Sequence, residues 1–223
     1  MPDLLDNLPD LDTNMPSFFE EQEGSGRDLG ATLHDDRLLK RTASKRQYLN
    51  LLNVANAAKH LSGLPEPGES WHGVMRANFD AFSFVPAIID LLGCPLSYLG
   101  IATLGFNRNN AGRLIGLIDE GQVQACHFVC SVYYRSNEPD VYDDLHAALT
   151  VRGQRAAAIR CHAKLLVIKA TDGRCLTLES SANLRSCRNL EQFVLTHDAS
   201  LLDFHRRWIG DVLAQVPAAE GGK

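Results

Sequence analysis

Apolar and polar positions change rhythm several times along the chain, and each change marks an element. From about residue 80 onward, apolar blocks of strand length alternate with segments of helical period. Phe82–Leu92 is a short apolar segment closed by Gly93 and Pro95, the sign of a helix that stops there. Leu96–Leu104 is a continuous apolar run, as expected for a buried strand, and the polar Asn107-Arg108-Asn109-Asn110 after it predicts a loop. Ala111–Gly121 predicts a helix, Ala125–Tyr134 a second strand, and Glu138–Arg152 a helix with Tyr142, Leu145 and Leu149 on one side. Ala156–Lys169 and Arg174–Glu179 predict two strands joined by Ala170-Thr171-Asp172-Gly173, where Asp-Gly is a strong hairpin signal. Leu190–Thr196 predicts a last short strand, and Ala199–Gln215 an amphipathic helix. Strands separated by helices of this length imply an α/β fold with a mixed, largely parallel sheet covered on both faces.

Upstream of residue 80 the pattern differs. Residues 37–62 predict a helix whose apolar side is Leu38, Leu39, Tyr48, Leu51, Leu52 and Val54, stopped by Gly63 and the Pro65-to-Gly68 run. Residues 1–36 hold ten acids against one base, Arg27, together with Pro2, Pro9 and Pro16. That composition predicts a disordered acidic leader. The leader carries −9 of a net charge of −5, which leaves the remainder mildly basic at +4. Three segments therefore follow: the leader at 1–36, a helical extension at 37–79 and a domain at 80–223.

Composition narrows the setting. With 223 residues and 45% hydrophobic content the chain can build one sizeable core. No apolar run approaches membrane-spanning length, and MPDLLDNLPD lacks the basic and apolar regions of a secretory signal, so a cytoplasmic protein is expected. Cys94, Cys126, Cys130, Cys161, Cys175 and Cys187 form no CxxC pair and are expected to be reduced core residues, with no metal site.

Chemistry concentrates in the string CHAKLLVIKATDGRCLTLESSANLRSCRNLEQF, residues 161–193. On a strand, His162 and Lys164 would project to one face, and two ionisable groups beside the apolar Leu165–Ile168 run need a partner or a use. Glu179-Ser180-Ser181-Ala182-Asn183 follows the return strand, and its hydroxyl, amide and backbone donors suit phosphate oxygens. The hairpin would bring this loop beside the His162 strand end, which gathers a nucleophilic base, a fixed positive charge and neutral donors around one anion.

These residues resemble the motif of the phospholipase D superfamily, His-x-Lys followed by Asp and then a Gly-Ser-x-Asn loop. The matching positions are His162, Lys164, Ser181 and Asn183, and Glu191 in Asn189-Leu190-Glu191 resembles the acidic position that follows in many members. Two positions depart from the pattern: Lys169 stands at the motif Asp position, and Ser180 stands where the family has glycine. The family's tyrosyl-DNA phosphodiesterases also keep His, Lys and Asn without that Asp. Overall the chain is similar to small phospholipase D-like proteins of bacterial and phage genomes. The resemblance implies an α/β/α sandwich and one motif per chain. It further implies a metal-independent, cofactor-free phosphodiesterase that works through a phosphohistidine on His162. Lys164, Asn183 and Ser181 would stabilise charge on the phosphate, and Glu191 would orient the imidazole. One motif per chain implies a homodimer in which two His162 residues face each other. Ser180, Arg108, Arg185 and Arg188 are candidate phosphate contacts. The basic body favours nucleic acid as partner, DNA over RNA, and no membrane. A catalytically degenerate module that binds nucleic acid or protein, and a phospholipid-directed enzyme, are the alternatives on the same fold. His34, His60, His127, His146, His197 and His205 are expected to be structural or solvated, while His72 in Trp71-His72-Gly73 is a candidate for the cleft wall.

Overall fold

The computed structural model describes residues 54–59, 61–76, 80–185 and 190–216. The leader, most of the predicted helix over 37–62, Cys187 and Arg188 lie outside the described residues; 54–59 are helical. Among the described residues seven strands form one sheet: β1 (Ser70–Arg76), β2 (Leu96–Thr103), β3 (Cys126–Ser131), β4 (Arg155–Ile159), β5 (Leu165–Ala170), β6 (Cys175–Ser180) and β7 (Leu190–His197), in the order β1-β7-β6-β5-β2-β3-β4. The helices are α1 (Phe84–Leu92), α2 (Arg108–Asp119), α3 (Val132–Asn137), α4 (Pro139–Thr150) and α5 (Ala199–Gln215).

The α/β class and the mixed sheet are as the sequence predicts. Its balance is different, because only β2–β3 and β3–β4 are parallel, and β1–β7, β7–β6, β6–β5 and β5–β2 are all antiparallel. The reason lies in one misread stretch. Ala156–Lys169 is not a single strand: β4 ends at Ile159, the chain crosses the ends of β3 and β2, and β5 enters antiparallel to β2. An apolar run on each side of Arg160–Lys164 hid the crossing.

Burial confirms a core on each face. β5 divides its side chains by alternation, with Leu166 and Ile168 on one face and Leu165 and Val167 on the other. On the first face they meet α1, α2 and α4 through Phe84, Ile88, Leu114, Leu145 and Leu149. On the second they meet α5 through Leu202, Ile209 and Leu213. The result is helix, sheet, helix.

Local signals explain two further departures. Asn107 is the N-cap of α2, its side chain accepting from Asn110 N at 2.8 Å, so Arg108–Asn110 form the first helical turn rather than a loop. Ser131 likewise caps α3 by accepting from Tyr133 N at 3.1 Å, which ends β3 short of Tyr134. The predicted hairpin is present, with Gly173 at φ +96° in its turn and Leu165 to Lys169 registered against Glu179 to Cys175. β1 has no counterpart in the sequence reading. It pairs with β7, so the sheet begins before residue 80, and the exposed His72 sits opposite Val194 on this edge strand, away from the strand ends.

Candidate functional site

β2, β3 and β4 all point their carboxyl ends to one end of the sheet, where Thr103, Ser131 and Ile159 finish them. Open α/β sheets place ligands beyond such ends. Residues 160–164 cross over the ends of β3 and β2 on the way to β5, and His162 and Lys164 lie in that crossing rather than on a strand. His162 is exposed and Lys164 half-buried. Lys164 Nζ lies 3.4 Å from His162 Nδ1 and donates to His162 O at 3.2 Å. Two residues two apart thus meet by bending the backbone, without the alternation of a strand. An ammonium only donates, so Nδ1 faces it as acceptor and a neutral ring carries its proton on Nε2.

The hairpin delivers the serine loop to the same place. Ser180 N donates to Lys164 O at 3.0 Å, one step beyond the last β5–β6 pair. Ser180 Oγ closes a turn on Ala182, bonding both its N–H and its carbonyl at 3.1 Å. That contact accounts for a serine in place of glycine: its hydroxyl holds the loop that a glycine would leave open. Ser181 N donates to Gln192 O and Gln192 N to Ser181 Oγ, both at 3.0 Å, and the Ser181 hydroxyl donates to the Glu191 carboxylate. β7 therefore carries Glu191 to the loop. Asn183 O accepts from Ala81 N at 3.1 Å, while its side-chain Oδ1 is buried with no hydrogen-bond partner among the described residues. A buried amide oxygen left unpaired is costly and marks a position held by its surroundings.

Residues that sequence reasoning gave no role fasten the loop to the end of β2. Leu184 N donates to Gly105 O at 3.2 Å and toward Thr103 Oγ1 at 3.4 Å, and buried Asn110 donates from Nδ2 to Leu184 O at 2.8 Å. Asn110 was visible as part of a polar run, but its part depends on the helical phase that Asn107 sets. Thr103, Lys164, Ser180 and Ala182 line a single cavity of about 10 Å³, which is room for at most one water. Larger hollows of about 300 and 370 Å³ share Pro67 and His197 at the opposite end of the sheet.

The arginines divide. Arg108 is exposed and ion-paired with Asp144 of α4. Arg185 is exposed, and both it and Arg108 act on Tyr134, whose hydroxyl burial pushes up to about 12 against their pull. Lys169 sits at the other end of β5, paired with Cys175 and opposite Tyr98. Five residues at about 3.3 Å each put it roughly 16 Å along the strand from Lys164, so its departure from the motif leaves this end unchanged. Burial raises the Cys161 thiol next to His162, opposed by the Ala163 backbone and by Lys164. Among the described residues, no group of three or more His, Cys, Asp or Glu is gathered as metal ligands would be, and no helix is long and apolar enough to cross a membrane.

No protein-family model matches the chain, and no curated protein sequence does. Among solved structures it is similar to Nuc, a phospholipase D family member from Salmonella typhimurium, at 16% identity and a TM-score of 0.47, over 66% of this chain and 96% of that one. It is also similar to TrmBL2, an archaeal chromatin protein with a novel mode of DNA binding, at 13% identity and a TM-score of 0.44, over 84% of this chain and 67% of the other. A third is phosphatidylserine synthase from Haemophilus influenzae Rd KW20, at 14% identity and a TM-score of 0.39, over 66% of this chain and 38% of that one.

Proposed function

We propose that the chain is a phosphodiesterase acting on nucleic acid, with His162 as nucleophile. The observation that carries the reading is the exposed His162 with Lys164 Nζ 3.4 Å from its ring, on a segment laid over the ends of β3 and β2 and tied to the serine loop. Phosphate needs a charge to hold its non-bridging oxygens and a nucleophile at phosphorus, and this arrangement supplies both within one side-chain length.

In this reading a phosphate oxygen takes over the Lys164 ammonium. The unprotonated ring nitrogen of His162 then forms a bond to phosphorus as the ester P–O bond breaks. Lys164, Ser181 and Asn183 stabilise the charge that gathers on the oxygens. The leaving oxygen takes a proton from a second histidine, His162 of a twofold mate in a homodimer. Water next gives that proton back as its oxygen joins phosphorus, the P–N bond breaks, and His162 is restored. Glu191, through Ser181, positions the loop and orients the imidazole. The fixed charge of Lys164 makes this chemistry independent of a metal ion.

The test is cleavage of labelled single- and double-stranded DNA and RNA in excess EDTA, with wild type against His162→Ala. Cleavage that disappears in the variant supports the reading, and a covalent adduct that survives acid would place the bond on another residue, since a phosphohistidine P–N bond is acid-labile. Binding of DNA with no turnover by either protein would overturn the enzyme and leave a nucleic-acid-binding module.

A further inference from the structure

β3 ends beside the crossing segment: Ser131 is registered with Ile159, and Ile159 O accepts from Cys161 N at 2.8 Å, one residue before His162. The Ser131 cap fixes where α3 starts and hence its phase. That phase sends Tyr134 inward, 5% exposed, with its ring 4.5 Å from that of Phe106. Gly105 makes the space, since a Cβ there would lie 2.8 Å from the Tyr134 ring. A neighbouring helical position points about 100° away. Tyr133 therefore faces outward at 70% exposure, and turning it in would pull Tyr134 from the core.

A lone exposed aromatic is ordinary on a protein surface. Three observations set this one apart. Its backbone is held at both ends, by Ser131 and by Asn137 Nδ2 on Tyr133 O at 2.7 Å, so the ring is presented from a fixed base. Among the described residues, neither ring nor hydroxyl has a partner. Arg185, exposed, acts on the adjacent Tyr134, so one guanidinium stands near the helix that carries the ring, while Arg108 beside it is paired with Asp144. An exposed, fixed aromatic face near basic residues suits single-stranded nucleic acid, whose bases stack on such rings while positive charge tracks the phosphates.

We propose that Tyr133 is a stacking platform for an unpaired base of single-stranded DNA, next to the phosphate held at His162; this rests on the phosphodiesterase reading and deepens it. A duplex keeps its bases stacked on each other, so the platform selects single strands or frayed ends.

The experiment measures fluorescence anisotropy in EDTA on the His162→Ala protein, so that no strand is cut. The probes are a labelled thymidine strand and an abasic tetrahydrofuran strand of equal length. The parent is expected to prefer thymidine about tenfold, in line with base–aromatic stacking. Tyr133→Ala should reduce that preference to about twofold with the abasic affinity moving less, while Tyr133→Phe and Tyr133→Trp retain it. A preference that survives Tyr133→Ala overturns the proposal, as does a changed sedimentation coefficient in that variant, which would make the ring a subunit contact. Binding of neither strand by the parent also overturns it. In that case metal-free DNA cleavage by wild type decides separately whether the phosphodiesterase reading stands.

Discussion

β2, β3 and β4 are reached through helical crossovers, whereas β5 and β6 are joined by a tight turn and β7 pairs antiparallel with β6. In the parallel half, strand ends converge because every strand runs the same way, so caps such as Asn107 and Ser131 stand side by side at one end. In the antiparallel half, position is set by register: Lys164 lies where it does because Leu165 pairs with Glu179 and Ser180 reaches back to it. The first half supplies a rim and the second a ruler. The candidate site occupies the seam between β2 and β5, where the two meet.

The largest expected effect breaks the seam itself. His162→Ala should lower metal-free cleavage by at least about 10³-fold, roughly 4 kcal/mol of barrier, measured as single-turnover kinetics on labelled DNA. Less than tenfold would move the nucleophile elsewhere. Ser181→Ala uncouples the loop from Glu191 in the antiparallel half and should cost about 10–100-fold in kcat/KM, as losses of orienting partners do. Equal loss in Glu191→Gln would show that the two act as one unit.

Stability separates the halves next. A Cβ at Gly73 would lie 2.2 Å from the ring of Phe193, which is itself 5% exposed and packed 5.0 Å from Phe84. Gly73→Ala should destabilise by about 1–3 kcal/mol in urea unfolding, because the ring has nowhere to swing. Gly116 in α2 offers the reverse, since nothing lies within 4 Å of its Cβ position.

Acid sharpens the contrast. Burial lowers the His205 imidazole, with Glu179 of β6 at 3.6 Å opposing it, and burial followed by Arg155 and Arg206 lowers His127 of β3. Both folded-state values lie below the unfolded one, so the unfolded chain takes up protons first. Stability should hold above about pH 6.5 and fall as pH drops through it toward the lowered values, by about a few degrees of Tm at pH 5.5. Whichever of His205→Gln and His127→Asn flattens that slope more is the histidine whose burial carries the larger share of it. The smallest effect is Gly116→Ala, a gain of about 0.5–1 kcal/mol read by the same urea titration.

What the sequence made legible follows the same division. The hairpin was readable from Asp172-Gly173, and the motif spacing named His162, Lys164, Ser181, Asn183 and Glu191, of which the structure joins His162 with Lys164 and Ser181 with Glu191. The crossing at 160–164 was not readable, because Ala156–Ile159 and Leu165–Ile168 look like one apolar strand and only tertiary pairing separates them. β1 was invisible for a related reason: Ser70–Arg76 is an edge strand whose partner lies over a hundred residues away. Asn107–Asn110 shows a third cause, since a polar run at a helix start and a polar loop share one composition until the cap bond is seen.

That distant partnership also orders events in time. Among the described residues β1 pairs with β7 alone, so on a ribosome its hydrogen-bonding edge emerges early and waits until residues 190–197 are made. Closing so long a loop is slow, which makes β1 a late arrival in folding and an open edge for other chains meanwhile. In pulsed hydrogen exchange during refolding, amides of β1 should gain protection after those of β2 and β3.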